Sequence, residues 1–129
     1  MATFAATRDH DTGTNQSSAT ITTGSSATMD FDARTDGAYL TVLQVSLTIS
    51  AGSPSGDCTI SYYASPTGAS SGLDSEPFAI RRLNFTATGT KSRSIVIPHG
   101  FVRVSVANAT GATVASWTIT GEKITQTST

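Results

Sequence analysis

A chain of 129 residues is one domain by length, since either half alone would be too small to bury a proper core. Charged residues make up only 13% and the net charge is −1, which excludes a basic nucleic-acid groove built to neutralise phosphates. The 23 Thr and 18 Ser, against few Glu, Lys, Leu and Gln, exclude a coiled coil or long helix, and the apolar runs fall far short of the ~20 residues of a membrane-spanning helix.

Residues 1–18 read as an extended polar arm, with Phe4 the one large apolar side chain after Met1. Such a segment either frays or orders on a neighbouring subunit. The start, MATFAATRDHDTG, has no apolar stretch of the signal-peptide kind, which points to synthesis in a cytoplasm. From residue 19 to 129 the pattern is that of a sandwich domain. Short strands are expected at 19–23 and 27–31, and the Asp36-Gly37 turn precedes the strongest strand, 38–50. There Leu43, Val45, Leu47 and Ile49 alternate with Gln44, Ser46 and Thr48, the period of a strand buried on one side.

A Gly/Ser/Pro loop at 51–56 leads to a strand at 58–64, with Cys58, Ile60, Tyr62 and Ala64 on one face. Residues 78–86 carry two parities, Phe78 with Ile80 and Leu83 with Phe85. A bulge at Arg81-Arg82 reconciles them, and a helical turn starting near Ser75 is the other option. Strands at 92–97 and 101–107 follow, the second with Val102, Val104 and Val106 inward. Asn108-Ala-Thr-Gly111 reads as a hairpin connection with Gly late in the loop, where positive φ is needed. A strand at 112–119 puts Ala115, Trp117 and Ile119 inward, and a strand fragment and polar tail close the chain. Seven or eight short strands without a helical window predict an all-β, antiparallel, jelly-roll-like β-sandwich with an extended N-terminal arm.

The chemistry-bearing residues are sparse. The lone Cys58 reads as a small buried hydrophobe, because zinc needs three or four ligands. Asp11-Thr-Gly13 matches the aspartic-protease triplet but sits in the polar arm, and Asp9, His10 and Asp11 are consecutive, a poor arrangement for converging on one ion. Asp30-Phe-Asp32 with Asp36-Gly37 departs from the EF-hand spacing and lacks its Glu. Only His10 and His99 could serve as a base, and there is no nucleophile elbow, P-loop or dinucleotide fingerprint. No enzyme, metal or cofactor is expected. Of the aromatics, Tyr39, Tyr62, Tyr63 and Trp117 could stack a sugar, but Tyr62 and Trp117 read as core, and Tyr63 is the one that points outward. Arg81 and Arg82, with Arg93 and Arg103, could pair with carboxylates at an interface.

Three stretches carry a resemblance: 60–68 (ISYYASPTG), 95–106 (IVIPHGFVRVSV) and the following Asn108-Ala-Thr-Gly111. Together with the opening at 21–26 and the strand pair around 31–42, this order resembles small β-sandwich virion proteins of tailed bacteriophages, the group that includes capsid decoration (cement) proteins and head fibres. The resemblance covers roughly residues 19–125, and its motifs are strand-and-turn signatures. It implies a non-enzymatic decoration protein on the capsid surface of the virion, bound to the major capsid protein and to copies of itself, with a trimer favoured. Nucleic acid and membrane are not expected as partners, and Phe4, Arg8, Tyr63, Arg81 and Arg82 are the candidate contact residues. The alternative is a carbohydrate-binding module of tail-fibre or adhesin type, which would need an exposed aromatic such as Tyr63.

The parity assignment has a direct test. Replacing Val104 with Asp should abolish folding, because an unpaired buried charge costs more than a small domain's margin of stability. A soluble Val104→Asp variant with a cooperative melt would show that the assignment is wrong.

Overall fold

The computed structural model describes residues 4–18, 20–32, 38–65, 72–97 and 101–128, with side chains over 20–31, 42–65, 72–97 and 101–121. Eight strands follow one another: β1 Phe4–Ser18, β2 Ser26–Asp32, β3 Ala38–Ile49, β4 Gly56–Ala64, β5 Ala79–Phe85, β6 Gly89–Ile97, β7 Phe101–Asn108 and β8 Ser116–Ser128. They form two four-stranded sheets, ordered β1-β8-β3-β6 and β2-β7-β4-β5. Every pairing is antiparallel, and no α-helix occurs among the described residues.

The pairings are nested. β4 lies beside β5, β3 beside β6, β2 beside β7 and β1 beside β8. The chain is thus one long hairpin whose tip is the β4–β5 connection, rolled until β3 meets β8 and β4 meets β7. Alternation makes the roll possible, because each strand offers one apolar face. Leu43, Val45, Leu47 and Ile49 of β3 and Trp117 and Ile119 of β8 are buried on one sheet. Cys58, Ile60 and Tyr62 of β4 and Val102, Val104 and Val106 of β7 are buried on the other. All these positions were expected inside. The outward faces carry hydroxyls, some bonded across strands: Ser46 Oγ lies 2.7 Å from Ser92 Oγ, and Thr48 Oγ1 lies 2.8 Å from Thr90 Oγ1.

Several expectations change. The strand expected at 19–23 is reduced to a single bridge from Ile21 to Val114, and the strand expected from 112 begins at Ser116. Residues 4–18 are extended, but their backbone pairs along β8, from Phe4 opposite Ser128 to Ser18 opposite Trp117. Strand pairing uses backbone N–H and C=O groups, so a segment poor in apolar side chains can still complete a sheet. The stretch after Gly121, expected as a fragment and tail, continues β8 to Ser128 for the same reason. In β5 the register runs without a shift. No bulge forms: Leu83 and Phe85 take the core and leave Phe78 and Ile80 40% and 48% exposed. The segment Asn108-Ala-Thr-Gly111 does not join a hairpin but carries the chain from one sheet to the other, with Gly111 at the positive φ of 80° expected there.

That crossover is pinned from inside. Asn108 is 2% exposed, and its Nδ2 donates to Ile21 O at 2.9 Å and Ala112 O at 2.7 Å. Its Oδ1 accepts from Thr110 N at 3.0 Å and lies 2.7 Å from Thr110 Oγ1. Around it, Ile21 bridges Val114, Ser55 N donates to Thr110 O at 2.8 Å, and Ala109 N donates to Asp57 O at 3.0 Å. Gly56 must be glycine here, because a Cβ would come within 2.5 Å of Ala109 O. Replacing Asn108 with Ala leaves Ile21 O with Val114 N and Ala112 O with Thr110 Oγ1, but the buried Thr110 N loses its acceptor, at about 1–3 kcal/mol for an unsatisfied group. The urea midpoint should fall by the equivalent of roughly 1–3 kcal/mol at an unchanged m value. An unchanged midpoint would show that the amide does not hold this end together.

Candidate functional site

The outward face of the β2-β7-β4-β5 sheet is laid out by its register. Asp30, Arg103 and Tyr63 stand side by side on β2, β7 and β4, and one step along come Thr28, Ser105, Ser61 and Ile80. Arg103 donates from Nε to Asp30 Oδ1 at 2.7 Å and from Nη2 to Oδ2 at 3.0 Å. This two-pronged bond fixes the plane of the guanidinium and raises the pKa of Arg103. Tyr63, on the neighbouring strand, is half-buried. Beyond the end of β4 the chain keeps beside it, because Asp74 N donates to Ala64 O and Phe78 N donates to Tyr62 O, each at 2.9 Å. Leu73 and Asp74 are thereby held next to Tyr63. Together with Thr28, Arg103 and Ser105 they enclose a cleft of about 320 Å³. A hollow of about 360 Å³ at the Asn108 end is lined by residues such as Ser50, Gly52, Ala112 and Thr113, with no charged or aromatic group to orient a ligand.

A second surface runs along the open edges of β5 and β6. Arg81 on β5, and Lys91 and Arg93 on β6, sit at core-facing parity, opposite Ile60, Leu47 and Val45, yet are exposed because no strand lies beyond them. Arg81 Nη1 donates to Ile80 O at 2.9 Å and Arg93 Nε to Arg82 O at 3.2 Å. Lys91 Nζ stands 5.9 Å from the centre of the Phe85 ring. Inward-pointing charges of this kind guard a sheet edge against pairing with another chain. Arg82 points the opposite way, outward beside Thr59. None of these four cations forms an ion pair with a described carboxylate.

Of the candidate contact residues, Tyr63, Arg81 and Arg82 are placed on these two surfaces. Phe4 and Arg8 lie on β1, opposite Ser128 and Ile124, with only the backbone described. So do Asp9, His10 and Asp11, while Asp36, Gly37 and His99 lie outside the described residues, and of Asp32 and Tyr39 only the backbone is described. Asp30, weighed as a calcium ligand, has both oxygens on Arg103. Tyr62 and Trp117 are core. Asp74 and Leu73 were missed as site residues, and Arg103, expected to pair with a carboxylate at an interface, pairs with Asp30 of its own sheet. A sequence signal existed only for Arg103, an outward charge in register with Tyr63, and reading it required the strand pairing.

No protein-family model and no curated protein matches this chain. Among solved structures, one titled "Bacillus endospore appendages form a novel family of disulfide-linked pili" aligns with a TM-score of 0.42 at 15% identity. The alignment covers 97% of this chain and 91% of that one. At that distance nothing about its assembly transfers to this protein.

Two buried acids show the electrostatics of the interior. Burial, with a smaller push from Asp57, raises the Cys58 thiol from 9.0 to about 11. Cys58 is free and buried, with Sγ 3.8 Å from Asn108 Oδ1. Burial raises Tyr62 from 10.0 to about 12, against an opposing pull from Arg81 and Arg93. Between pH 9 and 12 the folded chain therefore keeps protons that the unfolded chain gives up, so stability falls as pH rises through that window. Cys58→Ala should remove the part of the slope between pH 9 and 11 measured by urea unfolding. An identical slope in the variant would show that the thiol does not contribute.

Proposed function

We propose that this chain is a non-catalytic virion structural protein of a tailed bacteriophage, a capsid decoration (cement) protein that holds to the head shell and to copies of itself. The observation that carries the reading is the cationic side. Four of the eight Lys and Arg residues in a chain of net charge −1 gather on two neighbouring edge strands: Arg81, Arg82, Lys91 and Arg93. Beside Arg82 on the outward face of β5, Ile80 is exposed, and so is Phe78 just before that strand. Arginine and aromatic side chains at one patch are what protein interfaces enrich, and guanidinium forks pair best with carboxylates. The matching partner is an acidic surface on the major capsid protein.

Two further points support the reading. The nested pairing of the β-sandwich is compatible with a jelly roll, an architecture used by viral capsid and lectin domains, although a fold by itself assigns no function. The guarded edges favour docking by side chains over strand addition, which suits a protein that must sit beside many copies without forming a continuous sheet. The resemblance of residues 19–125 to phage β-sandwich virion proteins supplies the kind of assembly.

The test is retention of purified protein on heads that lack it. Arg82→Glu should keep a near-native melt, since Arg82 points outward and exposed substitutions shift stability by only about 0.5 kcal/mol. Retention should fall about tenfold or more, and wild-type retention should weaken with added salt. Retention indifferent to both salt and charge reversal would overturn the reading. Co-sedimentation with tails rather than heads would move the protein to the tail-fibre alternative.

A further inference from the structure

The cleft over β2, β7 and β4 has the composition of a ligand subsite, and we infer that it binds a single neutral sugar unit. This inference does not rest on the capsid reading, because the cleft is the same wherever the protein is mounted. Its volume, about 320 Å³, lies at the small end of the range for ligand pockets, enough for one ring-sized ligand. The wall is amphipathic: the half-buried Tyr63 ring and Leu73 offer apolar surface, the match for the C–H face of a pyranose. The rest is hydrogen-bonding. Ser105 and Thr28 can each donate or accept, and Asp74 brings two acceptor oxygens at the rim.

Arg103 decides the ligand's charge class. Its Nε and Nη2 are committed to Asp30, so the pair is neutral as a unit while Nη1 keeps its donors. With Asp74 included, the cleft carries one excess negative charge, which disfavours uronates, sialylated sugars and phosphates. An ammonium ligand would suit Asp74 but has no acceptor for the Arg103 donors. A sugar hydroxyl both donates and accepts, so adjacent hydroxyls can satisfy Asp74 and Arg103 together. The site is also pre-formed. Its groups stand on strands, or on a segment tied to β4 by the Asp74 N to Ala64 O bond of 2.9 Å, and little ordering remains to oppose binding.

The experiment is an amide-resolved NMR titration of the full chain with glucose, galactose, mannose and N-acetylglucosamine, alongside anionic glucuronate and the simple cation methylammonium. At least one neutral sugar should shift the amides of Tyr63, Leu73, Asp74, Arg103 and Ser105 saturably, with the weak affinity expected of one ring in an open cleft. Tyr63→Ala should weaken that binding about tenfold, while Tyr63→Phe, which keeps the ring, should stay within about threefold. Asp74→Asn should weaken it as well. Tyr63 is not a core residue, so both variants should reproduce the wild-type spectrum away from the cleft. The inference is overturned if no neutral sugar shifts these amides at saturating concentration, if glucuronate or methylammonium binds more tightly, or if Tyr63→Ala binds as the wild type does.

Discussion

One carboxamide holds together the end of the sandwich where the chain crosses most often. Asn108 is buried with its donors on Ile21 O and Ala112 O and its acceptor facing Thr110, so the segment leaving β1 and the segment entering β8 are fixed to the last residue of β7. Ser55 joins the same knot through Thr110 O, which adds the β3–β4 crossover. A buried polar network is stabilising only when all its members are satisfied, and here the amide nitrogen and oxygen both find partners. The rolled hairpin needs this. Without a fixed corner, strands from two sheets would have no defined point at which to cross.

The core depends on a simpler constraint. Two sheets pack only if each strand turns one apolar face inward, and that face is set by a period of two. Away from the open edges the rule holds in β4, in the described side chains of β3, and in β7 from Val102 onward. On the open side it is deliberately broken: Arg81, Lys91 and Arg93 occupy core-facing positions at the edges of β5 and β6. Their aliphatic stems can cover the apolar interior while the charged ends reach water and the edge carbonyls. The same feature closes the sandwich and gives it a cationic side.

The two surfaces follow from one arrangement. The sheet β2-β7-β4-β5 turns a hydroxyl-rich face outward, with the ion pair of Asp30 and Arg103 beside Tyr63 at one end and Ile80 and Arg82 toward the open edge. Hydroxyls keep the face wet without adding charge, so the few charges present act locally rather than as a field over the molecule. That is why the cleft and the cationic side can differ in electrostatic character on so small a domain.

The sequence by itself determined the fold class, the central strands and most of the inward residues, because alternation of side chains along a strand is a local property. Leu43 to Ile49, Val102 to Val106 and Trp117 could be assigned to the core from spacing alone. It also singled out Tyr63 and the arginine pair. Only the tertiary structure decided what depends on contacts between distant segments. It chose Leu83 and Phe85 over Phe78 and Ile80, since two parities compete within one strand and the neighbouring β4 settles which is buried. It paired residues 4–18 with β8 through backbone groups that side-chain polarity does not reveal. It turned Asn108 from a loop residue into the buried pin, and set Arg81 and Arg82 on opposite sides of a strand at an open edge. It also brought Leu73, Asp74 and Arg103 to Tyr63, because the cleft is made by strand register and by a segment folded back along β4, neither of which is written in any local pattern.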